Sequence, residues 1–315
     1  ARPAMTVAAE RERKSSSDQT STSCEAATDR SRVEQLFIHA ETAVDAAYAL
    51  HDTVSLDLSA AARAAAMAEA RSCAEHAIAQ ARTSAQTQPG LNSNRKLQAF
   101  FWYLSGKLAT CGEDGRGCST AEQLLSDAVK LDPTLVGAWN ALGECFWHSG
   151  ELEAARGCFV GALAHRRNCE TLCHLSMLLR AISSSSAGSE SLLSESLELA
   201  KEAVRCDARS SRAWATLGNA QLSAHGRAPA DEQAECLHLA NKAFLQAARS
   251  SESGACADVH MNHGLTLFLL DEFEASMQHY SSAHSLEPSL GAAAMRQQVW
   301  DYAARAAELV LARGG

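Results

Sequence analysis

Three tryptophans each stand four residues before a glycine: Trp102 and Gly106, Trp139 and Gly143, Trp214 and Gly218. Behind them follow small–large–small triplets with one spacing: Ala121, Leu125, Ala128; Ala155, Phe159, Ala162; Ala240, Phe244, Ala247. Gly264, Tyr280, Ala283 and Pro288 continue the pattern, and Pro133 precedes Trp139 by six residues. Residues three and four apart share a helix face. Recurrence of the whole block therefore predicts helix pairs stacked on their neighbours rather than one closed core.

With Trp139 numbered position 4 of a frame of about 34 residues, Leu142, Gly143, Phe146, Ala155, Phe159 and Ala162 fall at positions 7, 8, 11, 20, 24 and 27. These match the consensus of the tetratricopeptide repeat, which implies an all-α right-handed superhelix with a concave peptide-binding groove. Gly or Ala at 8, 20 and 27 lets helices approach closely, and large residues at 4, 11 and 24 fill the gaps. Leu172, Leu175 and Leu179 open a degenerate unit, whose second helix follows a serine-rich stretch, Ser183–Ser191. That stretch, with Ser194 and Ser196, reads as a surface insert open to phosphorylation.

Composition agrees. The 315 residues are 46% apolar but only 5% aromatic, so the core is built mainly from Ala, Leu, Val and Cys, which disfavours sandwiches and barrels. No apolar run reaches the length of a membrane span. The net charge of −9 leaves no basic stripe for direct DNA binding. None of the eleven cysteines forms a Cys-x-x-Cys pair, which points to reduced thiols. With no leader peptide in the first residues, a cytoplasmic location extending to the nucleus is expected. Residues 1–30 read as a disordered tail, 31–94 as an irregular leading pair with helices over 32–50 and 58–87, 95–288 as repeats, and 289–315 as a capping helix.

The inner helix of each pair lines the groove through positions 2, 5, 6, 9, 12 and 13. Polar candidates there are Lys107, Asn140, Glu144, His148, Arg180, Arg212, Asn219, Asp258 and Asn262; Met177, Met261 and Phe268 are apolar ones. Asn219 and Asn262 suit gripping a peptide backbone, since each side chain both donates and accepts. The pair resembles that of carboxylate-clamp repeats, the basis for a generic chaperone-type reading. The clamp's lysine at position 5 is Ala215 here, however, and its cationic positions in the next unit fall on Leu290 and Ala294. Arg180 and Asp258 bring opposite charges to one groove and suit a ligand with adjacent basic and acidic side chains.

The strings AVKLDP (128–133), AWNALGE (138–144), LSMLLR (175–180), RAWATLGNAQLS (212–223) and HMN (260–262) resemble the tetratricopeptide repeat protein 5 (Strap) family over roughly residues 36–312. The resemblance implies a non-enzymatic adaptor whose groove recognises the N-terminal Met-Arg-Glu segment of nascent tubulin at the ribosome. It also implies recruitment of mRNA-decay machinery, and, as an alternative role, a stress-responsive scaffold for transcriptional co-activators. The family's groove arginine and aspartate fall on Arg180 and Asp258. A basic residue implicated in ribosome contact falls on Lys130, whereas a neighbouring family lysine is Asp127. The resemblance also implies a C-terminal OB-fold, and the sequence given ends before it, as a truncation or a short homologue would.

Other chemistry has little support. His165, Cys169, Cys173 and His174 form one cluster with metal-ligand character, but its spacing crosses a helix–helix turn, so no metal is expected. The glycine-rich loop 111–118 lacks the Lys-Ser/Thr of a phosphate loop. No cofactor and no catalytic constellation is expected.

Overall fold

A computed structural model describes residues 32, 34–50, 60–87, 94–111, 119–185, 190–250 and 256–314. The expected tail 1–30 and most of the glycine-rich loop lie outside the described residues. The described chain is helical, without strands: α1 (34–50), α2 (Ala60–Thr87), α3 (Arg95–Thr110), α4 (Ser119–Leu131), α5 (Val136–His148), α6 (Leu152–His165) and α7 (Cys169–Ser185), then α8 (Glu190–Cys206), α9 (Ser211–His225), α10 (Ala230–Ser250), α11 (Ala257–Leu269), α12 (Phe273–Leu286) and α13 (Ala292–Gly314). None of these helices is long and apolar enough to cross a membrane.

Helices α3 to α12 form five consecutive pairs, and inner helices contact one another down the row α3, α5, α7, α9, α11. Positions 3 and 10 of all five inner helices are buried: Phe101 and Leu108, Ala138 and Cys145, Thr171 and Leu178, Ala213 and Ala220, Val259 and Thr266. The leading pair joins the same row. Ala40, Val44 and Ala47 of α1 pack against Ala74, Ala77 and Ile78 of α2 and against Leu104 of α3.

The contact that sets four of the five pairs is glycine against a ring or a leucine. A Cβ added at Gly143 would stand 2.7 Å from Phe159, one at Gly218 2.7 Å from Phe244, one at Gly106 2.7 Å from Leu125, and one at Gly264 3.1 Å from Tyr280. The α7–α8 pair reaches the same closeness by exchanging sizes. Position 8 is Ser176 and position 24 is Ala200, both fully buried. Ser176 Oγ donates to the Ser196 carbonyl at 2.9 Å, and Ser196 Oγ donates to the Ser176 carbonyl at 2.8 Å. Ser196 is thus core, not part of an exposed insert. Helix α7 runs through Ser185 and α8 begins at Glu190, so both ends of the serine-rich stretch are helical, and residues 186–189 lie outside the described residues.

Turns between pairs repeat as well. Trp139 Nε1 donates to the Pro133 carbonyl and Trp214 Nε1 to the Ala208 carbonyl, each at 2.8 Å and each six residues back. The tryptophan at position 4 thereby ties its helix to the preceding turn. The α5–α6 and α11–α12 turns close alike, with Glu151 N donating to Phe146 O and Glu272 N to Leu267 O. The left-handed residue is Gly150 in one turn and Asp271 in the other.

Two glycine substitutions separate close packing from helix propensity. Gly218→Ala forces its methyl into Phe244 and should cost about 1–3 kcal/mol by overpacking. Gly157, exposed on α6 with nothing within 4 Å of an added Cβ, should gain about 0.5–1 kcal/mol as Ala. Chemical denaturation of both variants checks the opposite signs.

Candidate functional site

A chain of side chains connects the inner helices from the N-terminal end. Lys107 Nζ on α3 lies 2.8 Å from Asp45 Oδ1 of α1 and 4.9 Å from the centre of the Tyr48 ring. Burial works against the Lys107 ammonium, but Tyr103 and Asp45 outweigh it and its pKa is raised. Tyr48 in turn donates to Glu144 Oε2 on α5 at 2.7 Å. Burial raises the Glu144 pKa, with the Tyr48 hydrogen bond and Arg212 opposing. On its far side Glu144 Oε1 stands 3.2 Å from His174 Nε2 of α7, without hydrogen-bond alignment. His174 is buried, and desolvation, helped by Arg212, pushes its pKa down to about 3, so its ring is neutral in this contact. Both its ring nitrogens lack a hydrogen-bond partner.

Asn140 turns into the wall of the groove. It is only 4% exposed, its Oδ1 accepts from Thr171 Oγ1 at 2.8 Å across the α5–α7 boundary, and its Nδ2 is buried without a partner. Arg212, on the first turn of α9, is exposed. It reaches Glu144, His174 and the Cys173 thiol electrostatically.

Arg180 stands near the end of α7. Its Nε is buried without a hydrogen-bond partner, and desolvation lowers its pKa to about 10, with Cys173 opposing. The carboxylate of Asp258, on the first turn of α11, makes no hydrogen bond or ion pair among the described residues. Partial burial, followed by the neighbouring Glu287, raises its pKa. The two charges are therefore not consumed by structural ion pairs. Between them Asn262 Nδ2 donates to Asn219 Oδ1 at 3.0 Å. That bond joins the α9 and α11 units and leaves Asn219 Nδ2 and Asn262 Oδ1 for a ligand backbone.

Lys130, on the outer helix α4, is 72% exposed and lies 3.3 Å from Asp127. The metal-like cluster does not assemble: His165 stacks on Trp139, and His174 packs on Phe159. Among the described residues no group of three His, Cys, Asp or Glu side chains is arranged to hold a metal ion. On α13, the buried pair Ala292 and Val299 takes positions 3 and 10. The clamp's cationic positions therefore fall on Gly291 and Met295 rather than Leu290 and Ala294, and neither is a cation.

A histidine network escaped the sequence reading. His260 Nδ1 lies 2.9 Å from His279 Nδ1, and His263 Nε2 lies 2.7 Å from Asn241 Oδ1 while stacking on Phe244. The only signal was the α11 unit's histidine, His260, at the position where three of the other units have tryptophan and one has Leu172.

No family model matches the chain. Over 200 residues it is 36% identical to tetratricopeptide repeat protein 5 of Bos taurus and 35% identical to that of Homo sapiens. The chain has the tetratricopeptide-repeat fold and is similar in sequence to tetratricopeptide repeat protein 5. The match takes in 62% of this chain and 44% of either relative, so the chain spans less than half the length of the curated relatives it matches. Among solved structures, the APC/C hetero-tetramer Cut9–Hcn1 aligns over 74% of this chain and 42% of its own with a TM-score of 0.56. At 13% identity that likeness speaks for the repeat fold alone.

The histidines make the array acid-sensitive. His174 and His263 are each 2% exposed, and burial pushes both pKa values from 6.5 down to about 3. The unfolded chain then binds more protons below pH 6.5. Stability from these groups is complete above that pH and falls on acidification, by up to about 1.4 kcal/mol per pH unit for each ring. Urea denaturation at pH 7 and pH 5 should show the loss, and His263→Gln should reduce its slope. A flat profile would contradict it.

Proposed function

We propose that the groove binds the N-terminal Met-Arg-Glu segment of nascent tubulin at the ribosome, and that the protein is a cytoplasmic adaptor directing decay of tubulin mRNA. The observation carrying this reading is Arg180. A buried guanidinium nitrogen with no partner costs free energy that a ligand carboxylate would offset. The glutamate of the segment supplies that carboxylate. The preceding arginine meets Asp258, and the Asn219–Asn262 bridge holds the backbone between them. Glu144, Arg212 and the buried amide of Asn140 shape the floor next to this stretch. Lys130 supplies a ribosome-facing charge on the outer surface, weakened by its contact with Asp127. With one basic contact of this kind, attachment to the ribosome draws on the nascent chain as a second tether.

A fluorescent peptide beginning Met-Arg-Glu, with a scrambled peptide as control, tests the reading by anisotropy. Arg180→Ala should weaken binding by about 2–4 kcal/mol, because the ligand carboxylate loses a desolvated partner. Asp258→Ala should cost less, about 1 kcal/mol, because its carboxylate sits at an exposed rim. Equal binding of the scrambled peptide, or unchanged affinity in both variants, would overturn the assignment.

A further inference from the structure

The turns that join one pair to the next gather cations that the net charge conceals. Each turn lies where an outer helix ends and the next inner helix begins, and successive contacts tie the turns into one edge of the array. Lys130 is in the last turn of α4, and Pro133 just beyond accepts from Trp139. Trp139 stacks on His165 at the end of α6, beside Arg166 and Arg167. Arg167 makes a bidentate pair with Glu202 of α8, and Arg205 stands in the last turn of that helix. Arg209 follows in the α8–α9 turn. Ser211 Oγ then donates to the Ala247 carbonyl of α10 at 2.8 Å, which sets this turn against the helix end that carries Arg249. Along the edge the carboxylates are engaged. Asp132 accepts from Thr134 N and Oγ1, Asp207 from Arg209 N, and Glu202 from Arg167. Arg166, Arg205, Arg209 and Arg249 are exposed, and their guanidinium groups make no hydrogen bond or ion pair among the described residues. The field of Arg205 reaches Glu198 and Glu202, each of which already holds another cation. Arg205 and Arg249 also offset the dipoles of their helices, whereas Arg166 and Arg209 lie outside helices.

We propose that this edge binds the phosphate backbone of a single RNA strand. A backbone of phosphates asks only for charge and donors in a row, and a guanidinium meets each phosphate bidentately. A protein partner asks for an apolar anchor as well. None of the exposed large apolar side chains, Val160, Leu239 and Leu245 among them, falls in these turns. The opposite edge, where the two helices of a pair meet, is acidic, with Glu151, Asp231, Asp271 and Glu272 exposed. A chain of net charge −9 is thus divided between its two edges, and that polarity turns the arginine edge toward a polyanion. That the strand is RNA rests on the reading above, in which the protein works on a translating mRNA. Lys130, the ribosome-facing charge of that reading, is one end of the edge, and the free arginines of α6, α8 and α10 extend it beyond any groove residue.

Anisotropy of a labelled single-stranded RNA of mixed sequence, titrated with the full chain between about 50 and 200 mM salt, tests the proposal. Four phosphate contacts predict a slope of about −3 for log K against log salt, at about 0.7 per contact on a single strand. Arg205→Ala with Arg209→Ala should halve that slope and weaken binding at least tenfold at the lowest salt. Arg156→Ala removes a cation near the start of α6, away from this edge, where it pairs with Glu195, and should leave RNA binding unchanged. The edge variant should keep its affinity for the Met-Arg-Glu peptide, and Arg180→Ala should lose the peptide and keep the RNA, so the two readings fail separately. Absence of RNA binding at the lowest salt, or an equal loss in Arg156→Ala, would overturn the proposal. So would tighter binding of polyglutamate, or of a DNA strand of the same sequence, than of the RNA.

Discussion

The close approach of two helices at a glycine is the contact on which the rest of this structure depends. Gly143 against Phe159 and Gly218 against Phe244 leave no room for a Cβ. That closeness fixes the spacing of each pair, and five pairs of one spacing bring the inner helices into a continuous row. A row of inner helices is a groove, so the placement of Arg180, Asn219 and Asp258 follows from contacts that none of these residues makes. The serine pair of α7 and α8 shows that the constraint is on combined size and not on glycine as such. When position 24 shrinks to Ala200, position 8 grows to Ser176, and reciprocal hydrogen bonds pair the hydroxyls that this exchange buries.

The groove itself divides in two. Toward the N-terminus, polar groups are spent on one another: Asp45 with Lys107, Tyr48 with Glu144, Thr171 with Asn140. From α7 onward, charged groups stand without a structural partner, at Arg180 and Asp258. A protein binds selectively where its own side chains have left hydrogen-bonding capacity unmet, because an ill-matched ligand leaves that capacity buried and unpaired. On the proposed reading, the charged contacts to the ligand therefore come from α7 to α11, with Asn140 and Glu144 of α5 beside them.

Much of this was legible in the sequence, for a physical reason. The small and large residues of one helix pair lie close along the chain, so Trp139, Gly143 and Phe159 announce their contact by spacing alone. The same frame placed Arg180, Asn219, Asp258 and Asn262 on inner helices, and the Asn219–Asn262 bond is the adjacency that frame implies. What spacing does not carry is the rotation of a side chain about its own helix and the reach of distant partners. Asn140 has a groove position by count but turns to Thr171. Tyr48 meets Glu144 from 96 residues away. The serine-rich stretch misleads because composition suggests a loop, whereas Ser196 occupies a position that demands a small buried residue.

The most direct test reverses the groove's polarity. In the double variant Arg180→Asp with Asp258→Arg, the charge order along the groove is exchanged. Affinities for peptides beginning Met-Arg-Glu and Met-Glu-Arg, measured on the native chain and on the variant, give four numbers. The account predicts that the native chain prefers Met-Arg-Glu and that the variant prefers Met-Glu-Arg. A variant that keeps the native preference, or a native chain that binds both peptides equally, would contradict it.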